Sequence, residues 1–265
     1  MPEIIIKDVV YENIDDFINL CIPKDRRDRP HFIEGFKLKK KYTQKLLQRY
    51  GEVGKIAYIG DKPVGLIQYK PNIKELIIEI KCIFVPDKRY HRKGIGRKLL
   101  MATIKDMKKP KSYFNNKIPR ALVVWAFNIP GYYPQQEFFS KMGFKRVNPN
   151  DPFLLYYPFE ENYVYRSKEK KYVPQEEDKG MVLLFYDPEC PFCIYFLEKK
   201  KQAIREIAPG IPIKCINISE NPEEVEKRGV VSFCIVNRKP IRTFISDKER
   251  FKKEVLEALK GTMNT

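Results

Sequence analysis

The chain has 265 residues, room for one large domain or two ordinary ones, and two is the expectation. Its 51 lysines and arginines against 34 acidic residues leave a net charge of +17, which favours an anionic partner such as an acidic cofactor, nucleic acid or a membrane surface. No apolar run approaches the ~20 residues of a membrane span, Met1-Pro2-Glu3-Ile4 begins no signal-peptide pattern, and 6 cysteines are too few for a secreted disulfide scaffold, so a cytoplasmic protein is expected.

Hydrophobic periodicity divides the first half into elements. Glu3 to Lys7 reads as a strand, and Tyr11 to Cys21 spaces Ile14, Phe17, Ile18 and Cys21 as a helix does. A basic stretch, Pro23 to Pro30, precedes a helix over Ile33 to Tyr50. Lys55 to Ile59 and Pro63 to Tyr69 form a hairpin turning at Gly60-Asp61, and Glu75 to Val85 extends it into a meander. A basic loop from Pro86 to Lys93 leads into a helix over Gly94 to Met107, with Ile95, Leu99, Met101 and Ile104 on its apolar side. Lys108 to Pro119 reads as a loop and Ala121 to Trp125 as a buried strand. A helix from Gln135 ends at Gly143, and Phe144 opens a further strand through Val147.

Gly94 and Gly96 strip side chains from the first turn of a helix, where unpaired N–H groups and the dipole suit a phosphate. Arg89, Arg92, Lys93 and Arg97 surround that turn with cations fit for a diphosphate, whereas the lysines elsewhere, as at Lys39 to Lys41 and Lys199 to Lys201, read as solvated surface. A dinucleotide fingerprint needs a third glycine where Leu99 stands, and a P-loop needs Gly-Lys-Ser/Thr where Gly96-Arg97-Lys98 stands. The strand, basic loop and helix instead resemble the GNAT superfamily of acetyl-CoA-dependent N-acetyltransferases. Their pyrophosphate loop reads Gln/Arg-x-x-Gly-x-Gly/Ala, and His91-Arg92-Lys93-Gly94-Ile95-Gly96 occupies it, with His91 in place of the usual Gln or Arg. After Asn128, Phe138-Phe139-Ser140-Lys141-Met142-Gly143-Phe144 resembles the superfamily's Tyr-x-x-x-Gly-Phe helix end.

The resemblance covers roughly the first 160 residues and implies an α/β (α+β) GNAT acetyltransferase fold with a mixed central sheet. It implies acetyl-CoA held along Ile83, Phe84 and Val85, by His91, Arg92, Lys93, Gly94, Gly96 and Arg97, and by Asn128, with an amine of a small molecule or peptide as acceptor. By the same analogy Arg26, Arg27, Asp28, Arg29 and His31 border the acceptor site, the plain alternative being a solvated loop. Glu79 is the implied base, against an exposed strand carboxylate. The superfamily's usual proton donor is a tyrosine four residues before Gly-Phe, and here Phe139 stands there, which has no proton to give. Tyr132, Tyr133, Cys82 or solvent must replace it, or turnover is lost; acetyl-CoA binding does not depend on that group. The catalytic candidates of this half are therefore Glu79, Cys82 and Tyr133, with Cys82 as a small core residue the plain reading.

Residues 1–160 thus form one expected domain, the polar stretch 161–180 with Tyr163, Tyr165 and Tyr172 a linker, and 181–265 a second domain. Its elements are a strand Met181 to Tyr186, a helix Ile194 to Ile207, a strand Ile211 to Ile218, a helix Pro222 to Lys227, strands Val231 to Val236 and Pro240 to Ile245, and a helix Asp247 to Leu259. Cys190-Pro191-Phe192-Cys193 opens the first of these helices directly after a strand, where the helix terminus lowers a thiol pKa; Cys190 is the expected nucleophile and Cys193 the resolving thiol. The order of elements resembles the thioredoxin fold, and the combination resembles the YoaP-like proteins. Aligning Gly229 to Ile235 with the thioredoxin cis-proline loop places Cys234 where the proline belongs. Cys190, Cys193 and Cys234 would then form a three-thiol site for a soft metal or an iron-sulfur cluster, or a disulfide relay, against Cys234 as an apolar strand residue. Cys215 reads as core.

The first functional reading is an acetyltransferase with an appended thiol-redox or metal-binding domain, which would have a thiol-disulfide partner. Its rival is a thiol redox or metal-binding protein whose GNAT domain only binds acyl-CoA. A third, nucleic-acid binding through the +17 charge, demands steep salt dependence.

Overall fold

The computed structural model describes residues 3–127, 131–167 and 171–260. Two units emerge from their contacts: Met1–Pro23 with Lys40–Ser167, and Lys24–Lys39 with Lys168–Thr265.

The first unit carries β1 (Ile4–Asp8), α1 (Ile14–Asn19), the later part of α2 (Pro30–Tyr50), β2 (Gly54–Ile59), β3 (Lys62–Asn72), β4 (Ile77–Phe84), α3 (Ile95–Met107), β5 (Ala121–Trp125), α4 (Gln135–Lys141), β6 (Lys145–Asn148) and β7 (Asp151–Pro158). Its seven strands form one sheet in the order β1-β2-β3-β4-β5-β7-β6. Neighbours are antiparallel except β4 and β5. That central pair is largely buried on both faces, so β5 reads as an apolar run and β4 as an apolar strand interrupted only by Glu79 and Lys81. On one face Ile95, Leu99, Leu100, Ile104 and Met107 of α3 and Phe139 of α4 pack on Ile78, Ile80, Leu122, Val124 and Leu155. On the other, Ile77, Ala121, Val123 and Tyr156 are covered by Tyr163 and Tyr165.

Three sequence expectations change here. Met101 is 48% exposed, because the buried stripe of α3 runs through Leu99, Leu100, Ile104 and Met107 and turns residue 101 to solvent. Strand β7 was not anticipated; it lies between β5 and β6 and pairs with both. The segment Lys108 to Pro119 contains a 3-10 turn, Ser112–Phe114, that buries Phe114. It is anchored where the Glu52 carboxylate accepts from the Tyr113 hydroxyl (2.6 Å) and meets Lys111 Nζ (2.8 Å).

The second unit carries β8 (Val182–Tyr186), α5 (Cys193–Ile207), β9 (Ile213–Asn217), α6 (Pro222–Glu226), β10 (Cys234–Val236), β11 (Lys239–Pro240) and α7 (Lys248–Leu259). Its sheet runs β11-β10-β8-β9, with β8 and β9 parallel and the other pairs antiparallel. Residues of α5 and α7, among them Ile194, Leu197, Phe251 and Val255, cover the face bearing Val182, Leu184, Cys234 and Val236. The expected strand from Pro240 to Ile245 is only two residues long. The Arg242 and Thr243 N–H groups donate instead to the Glu254 carboxylate of α7, at 3.1 and 2.8 Å. Cys215 lies exposed on the edge strand β9, so it is not the core residue the sequence suggested.

The early residues of α2 are part of this second unit. Phe32, 1% exposed, meets the Phe192 ring edge-on at 4.9 Å and stacks on Tyr195 at 5.5 Å. At Gly35 the backbones come so close that a Cβ would lie 2.0 Å from the Pro191 carbonyl oxygen. Of the stretch read as a linker, Tyr165 donates to Glu75 (3.2 Å) in the first unit, while Tyr172 packs on the β8 face of the second. Among the described residues no helix is long and apolar enough to cross a membrane.

Candidate acyl-CoA cleft and the dithiol motif

Strand β4 changes partners along its length. Gln68 of β3 faces Cys82 and Tyr69 faces Ile80, which leaves Lys81 as an extra residue in a β-bulge. On its other side β4 pairs with β5 only from Ile77–Ala121 to Ile80–Val124. Past the bulge, Cys82 to Phe84 keep their register with β3 and have none with β5 among the described residues, so the sheet opens at that point.

The chain leaving β4 is tied back to the strand end. The Asp87 carboxylate accepts from the Arg89 guanidinium (2.7 Å) and the Arg89 N–H (3.0 Å), and these bonds pull its pKa down to about 2. Arg89 is thereby engaged within the loop. His91 Nε2 lies 2.8 Å from the Val85 carbonyl oxygen. A carbonyl can only accept, so Nε2 carries the proton and His91 clasps the strand to the loop.

Gly94 caps α3 with φ +77°, a left-handed conformation that any side chain would strain. The first N–H groups of a helix have no partner within it. Among the described residues no protein acceptor takes those of Ile95, Gly96 or Arg97. They open onto a cleft of about 740 Å³ lined by Ile83, Phe84 and Val85 of the strand, by His91, Arg92, Gly94, Gly96 and Arg97 of the loop and helix, and by Tyr132, Tyr133, Phe138 and Lys141 beyond β5. The sequence-derived cofactor residues are thus brought together except for two. Lys93 is exposed and sits over the Tyr90 ring at 5.5 Å instead of lining the cleft, and Asn128 falls outside the described residues.

The catalytic candidates separate. Glu79 and Cys82 do not line the cleft. The Glu79 carboxylate accepts from Asn72 (2.9 Å) and Lys81 (3.1 Å). Burial works against its charge, but the Lys81 ammonium and the Asn72 amide prevail, so its pKa is lowered and it is ionised at neutral pH. Cys82 is half-buried. Phe139 is fully buried between the rings of Phe138 and Phe144, at 5.2 and 4.9 Å, and belongs to the core. Tyr132 packs against Phe84 and His91, and its hydroxyl donates to the Pro86 carbonyl at 3.3 Å. Tyr133 is 52% exposed, and its hydroxyl oxygen accepts from Lys141 Nζ at 2.7 Å. Sequence reasoning missed Lys141 and Phe138. Lys141, the last residue of α4, is eight residues from Tyr133, which precedes that helix.

In the second unit Cys190 is exposed and Cys193 buried at the start of α5. Burial, with the neighbouring Cys190 and Asp187, pushes the Cys193 thiol up to about 12. Cys234 is 3% exposed, and burial holds its thiol at about 12 as well. Among the described residues no group of three or more His, Cys, Asp or Glu side chains is arranged to hold a metal ion.

Residues 18–144, just under half of the chain, match the model of the acetyltransferase (GNAT) family. No curated protein matches the chain. The PaiA N-acetyltransferase of Thermoplasma acidophilum, solved in complex with coenzyme A, is similar at 15% identity over 59% of this chain and 99% of its own, with a TM-score of 0.43. A GNAT-family acetyltransferase of Brucella melitensis in complex with acetyl-CoA is 12% identical over 63% of this chain and 95% of its own, with a TM-score of 0.42. One from Staphylococcus aureus is 17% identical over 60% and 100%, with a TM-score of 0.43.

Proposed function

We propose that this chain, whose residues 18–144 match the acetyltransferase (GNAT) family, binds acetyl-CoA between β4 and α3 and transfers its acetyl group to an amine of a small molecule or peptide. The observation that carries this reading is the unoccupied row of amides at Ile95, Gly96 and Arg97, opening with Arg92 and Arg97 onto a cleft walled by the end of β4. Those amides and cations hold the diphosphate, and the backbone of Ile83 to Val85 receives the pantetheine arm. Glu79, ionised on the same strand but outside the cleft lining and held by Asn72 and Lys81, is the candidate base, taking the acceptor's proton through water.

Calorimetric titration with acetyl-CoA tests this. Gly94→Glu places a side chain in a left-handed position and a like charge beside the diphosphate, and is expected to weaken binding roughly 100-fold. Wild-type protein that takes up no acetyl-CoA refutes the reading.

The second unit is proposed as a thiol-disulfide site serving a disulfide partner, as in a thioredoxin-like domain. Its support is the placement of an exposed Cys190 and a buried, proton-retaining Cys193 at the end of β8 and the start of α5. Trapping a mixed disulfide on Cys193→Ser but not on Cys190→Ser is the expected result. Equal trapping on both variants contradicts it. A reducing, cytoplasmic setting accords with that chemistry.

A further inference from the structure

The thiolate that leaves acetyl-CoA needs a proton, and the residue in the usual donor position, Phe139, has none and is sealed in the core. Among the polar side chains that line the cleft are Tyr90, Tyr132, Tyr133 and Lys141. They differ in what their protons already do. Tyr90 accepts from Lys62 Nζ at 3.3 Å, beneath the phosphate-binding loop and two residues before Arg92, so it belongs to the diphosphate end. The Tyr132 proton is committed to the Pro86 carbonyl at 3.3 Å. Tyr133 is the reverse case: Lys141 Nζ donates to its oxygen at 2.7 Å, so the Tyr133 O–H hydrogen is left to point elsewhere.

We infer that Tyr133, paired with Lys141, is the general acid that protonates the departing coenzyme A thiolate, taking the role that Phe139 cannot fill. This rests on the acyl-transfer reading above. The amine nitrogen attacks the thioester carbonyl carbon, a C–N bond forms, and the adduct loses its nitrogen-bound proton to solvent. As the C–S bond breaks, its electron pair goes to sulfur, and the Tyr133 proton passes to that sulfur to give the free thiol. The Lys141 ammonium stabilises the tyrosinate that remains, and solvent returns the proton, so that one amine and one thioester yield one amide and one thiol. The tyrosine's influence on its neighbour is visible in Lys141, whose pKa is raised by this hydrogen bond. The other charged groups that bear on the pair are Glu137 on α4 and His91, Arg92 and Arg97 in the same cleft.

The test measures acetyl-CoA affinity by calorimetry and release of coenzyme A by chromatography, with poly-L-lysine as amine probe and with water alone, for wild type, Tyr133→Phe, Tyr132→Phe, Lys141→Met and Lys141→Arg. Tyr133 and Lys141 are both at the surface, so none of these substitutions at either position endangers the fold. Tyr133→Phe is expected to bind acetyl-CoA as wild type does and to lose about 100-fold in kcat, more than Tyr132→Phe loses. Lys141→Met removes the charge that stabilises the tyrosinate and is expected to lower kcat about 10-fold with little change in acetyl-CoA affinity, and Lys141→Arg restores kcat. A structural role for Tyr133 would instead lower acetyl-CoA affinity along with kcat. An unchanged kcat in Tyr133→Phe, a larger loss in Tyr132→Phe, or wild-type protein that binds acetyl-CoA yet releases no coenzyme A above the uncatalysed rate overturns the assignment. Failure of wild type to bind acetyl-CoA refutes instead the reading on which it rests.

Discussion

Lys200 sits in the middle of α5 with its ammonium donating to the carbonyl oxygens of Phe233 (2.9 Å) and Phe185 (3.5 Å), and among the described residues no carboxylate pairs with it. Burial pulls its pKa down to about 8. Between about pH 8 and its ordinary value near 10.5 the unfolded chain holds the proton that the folded chain has shed. Lys200 therefore makes stability rise with pH across that window and costs the fold most below it. The Cys193 and Cys234 thiols, both pushed up to about 12, act with the opposite sign above their ordinary range. Comparing urea unfolding of wild type with Lys200→Met cancels the cysteine contribution. The advantage of the methionine variant is expected to shrink by about 3 kcal/mol between neutral pH and about pH 10.5, and a constant gap contradicts the assignment. Arg228 is the contrasting case, since its guanidinium meets the Asp178 carboxylate at 2.8 and 2.5 Å with both side chains 1% exposed. Arg228→Met leaves a buried carboxylate uncompensated and should cost about 3 kcal/mol or more. Adding Asp178→Asn is expected to recover part of that loss in the same unfolding assay.

At the scale of elements, Gly35 sets helix propensity against packing. A glycine inside α2 costs about 1 kcal/mol relative to alanine, so Gly35→Ala ought to stabilise if α2 were an ordinary surface helix. Here the new methyl would lie 2.0 Å from the Pro191 carbonyl oxygen, a backbone atom that cannot swing aside. The substitution is therefore expected to lower the stability of the second unit by about 1–3 kcal/mol in denaturant unfolding followed by fluorescence of its tyrosines. A gain in stability would show that the close approach is not maintained in solution. The elements most legible in the sequence were those whose signal is local. Ala121 to Trp125 declares itself by an unbroken apolar run, and α3 by Gly94, whose left-handed cap needs a glycine. The strand expected after Pro240 failed because a distant acceptor, Glu254, captures the N–H groups a ladder would have used. No nearby residue carries that information. The candidate cleft was legible for the same local reason, since strand, loop and helix are contiguous, whereas Tyr133, just before α4, and Lys141, at its end, meet across the length of a helix.

For the whole molecule, the boundary between units is the feature least visible in the chain. The polar stretch between Glu160 and Gly180 reads as the natural division, and the chain does pass from one unit to the other within it, at Ser167 and Lys168. Yet Lys24–Lys39 also belongs to the second unit, more than a hundred residues before the rest of it. The cause is side-chain chemistry that acts at long range: Phe32 needs an aromatic bed and finds Phe192 and Tyr195, and Gly35 alone allows the backbones to meet. A fragment of residues 168–265 keeps the four strands and three helices of the second unit but loses that cover. Phe192 and Tyr195 would then face water, and burying such rings is worth roughly 1.5–3 kcal/mol apiece, a large share of what a fragment of this size can spare. The isolated fragment is therefore expected to unfold at a markedly lower denaturant concentration than the second unit of the intact chain. A peptide of residues 24–39 added in trans should raise that midpoint in a concentration-dependent way, since a ligand bound only to the folded form stabilises it by mass action. The peptide carrying Phe32→Ala should not. A fragment as stable as the intact unit, and indifferent to the peptide, would mean that residues 24–39 lie on the second unit without supporting it.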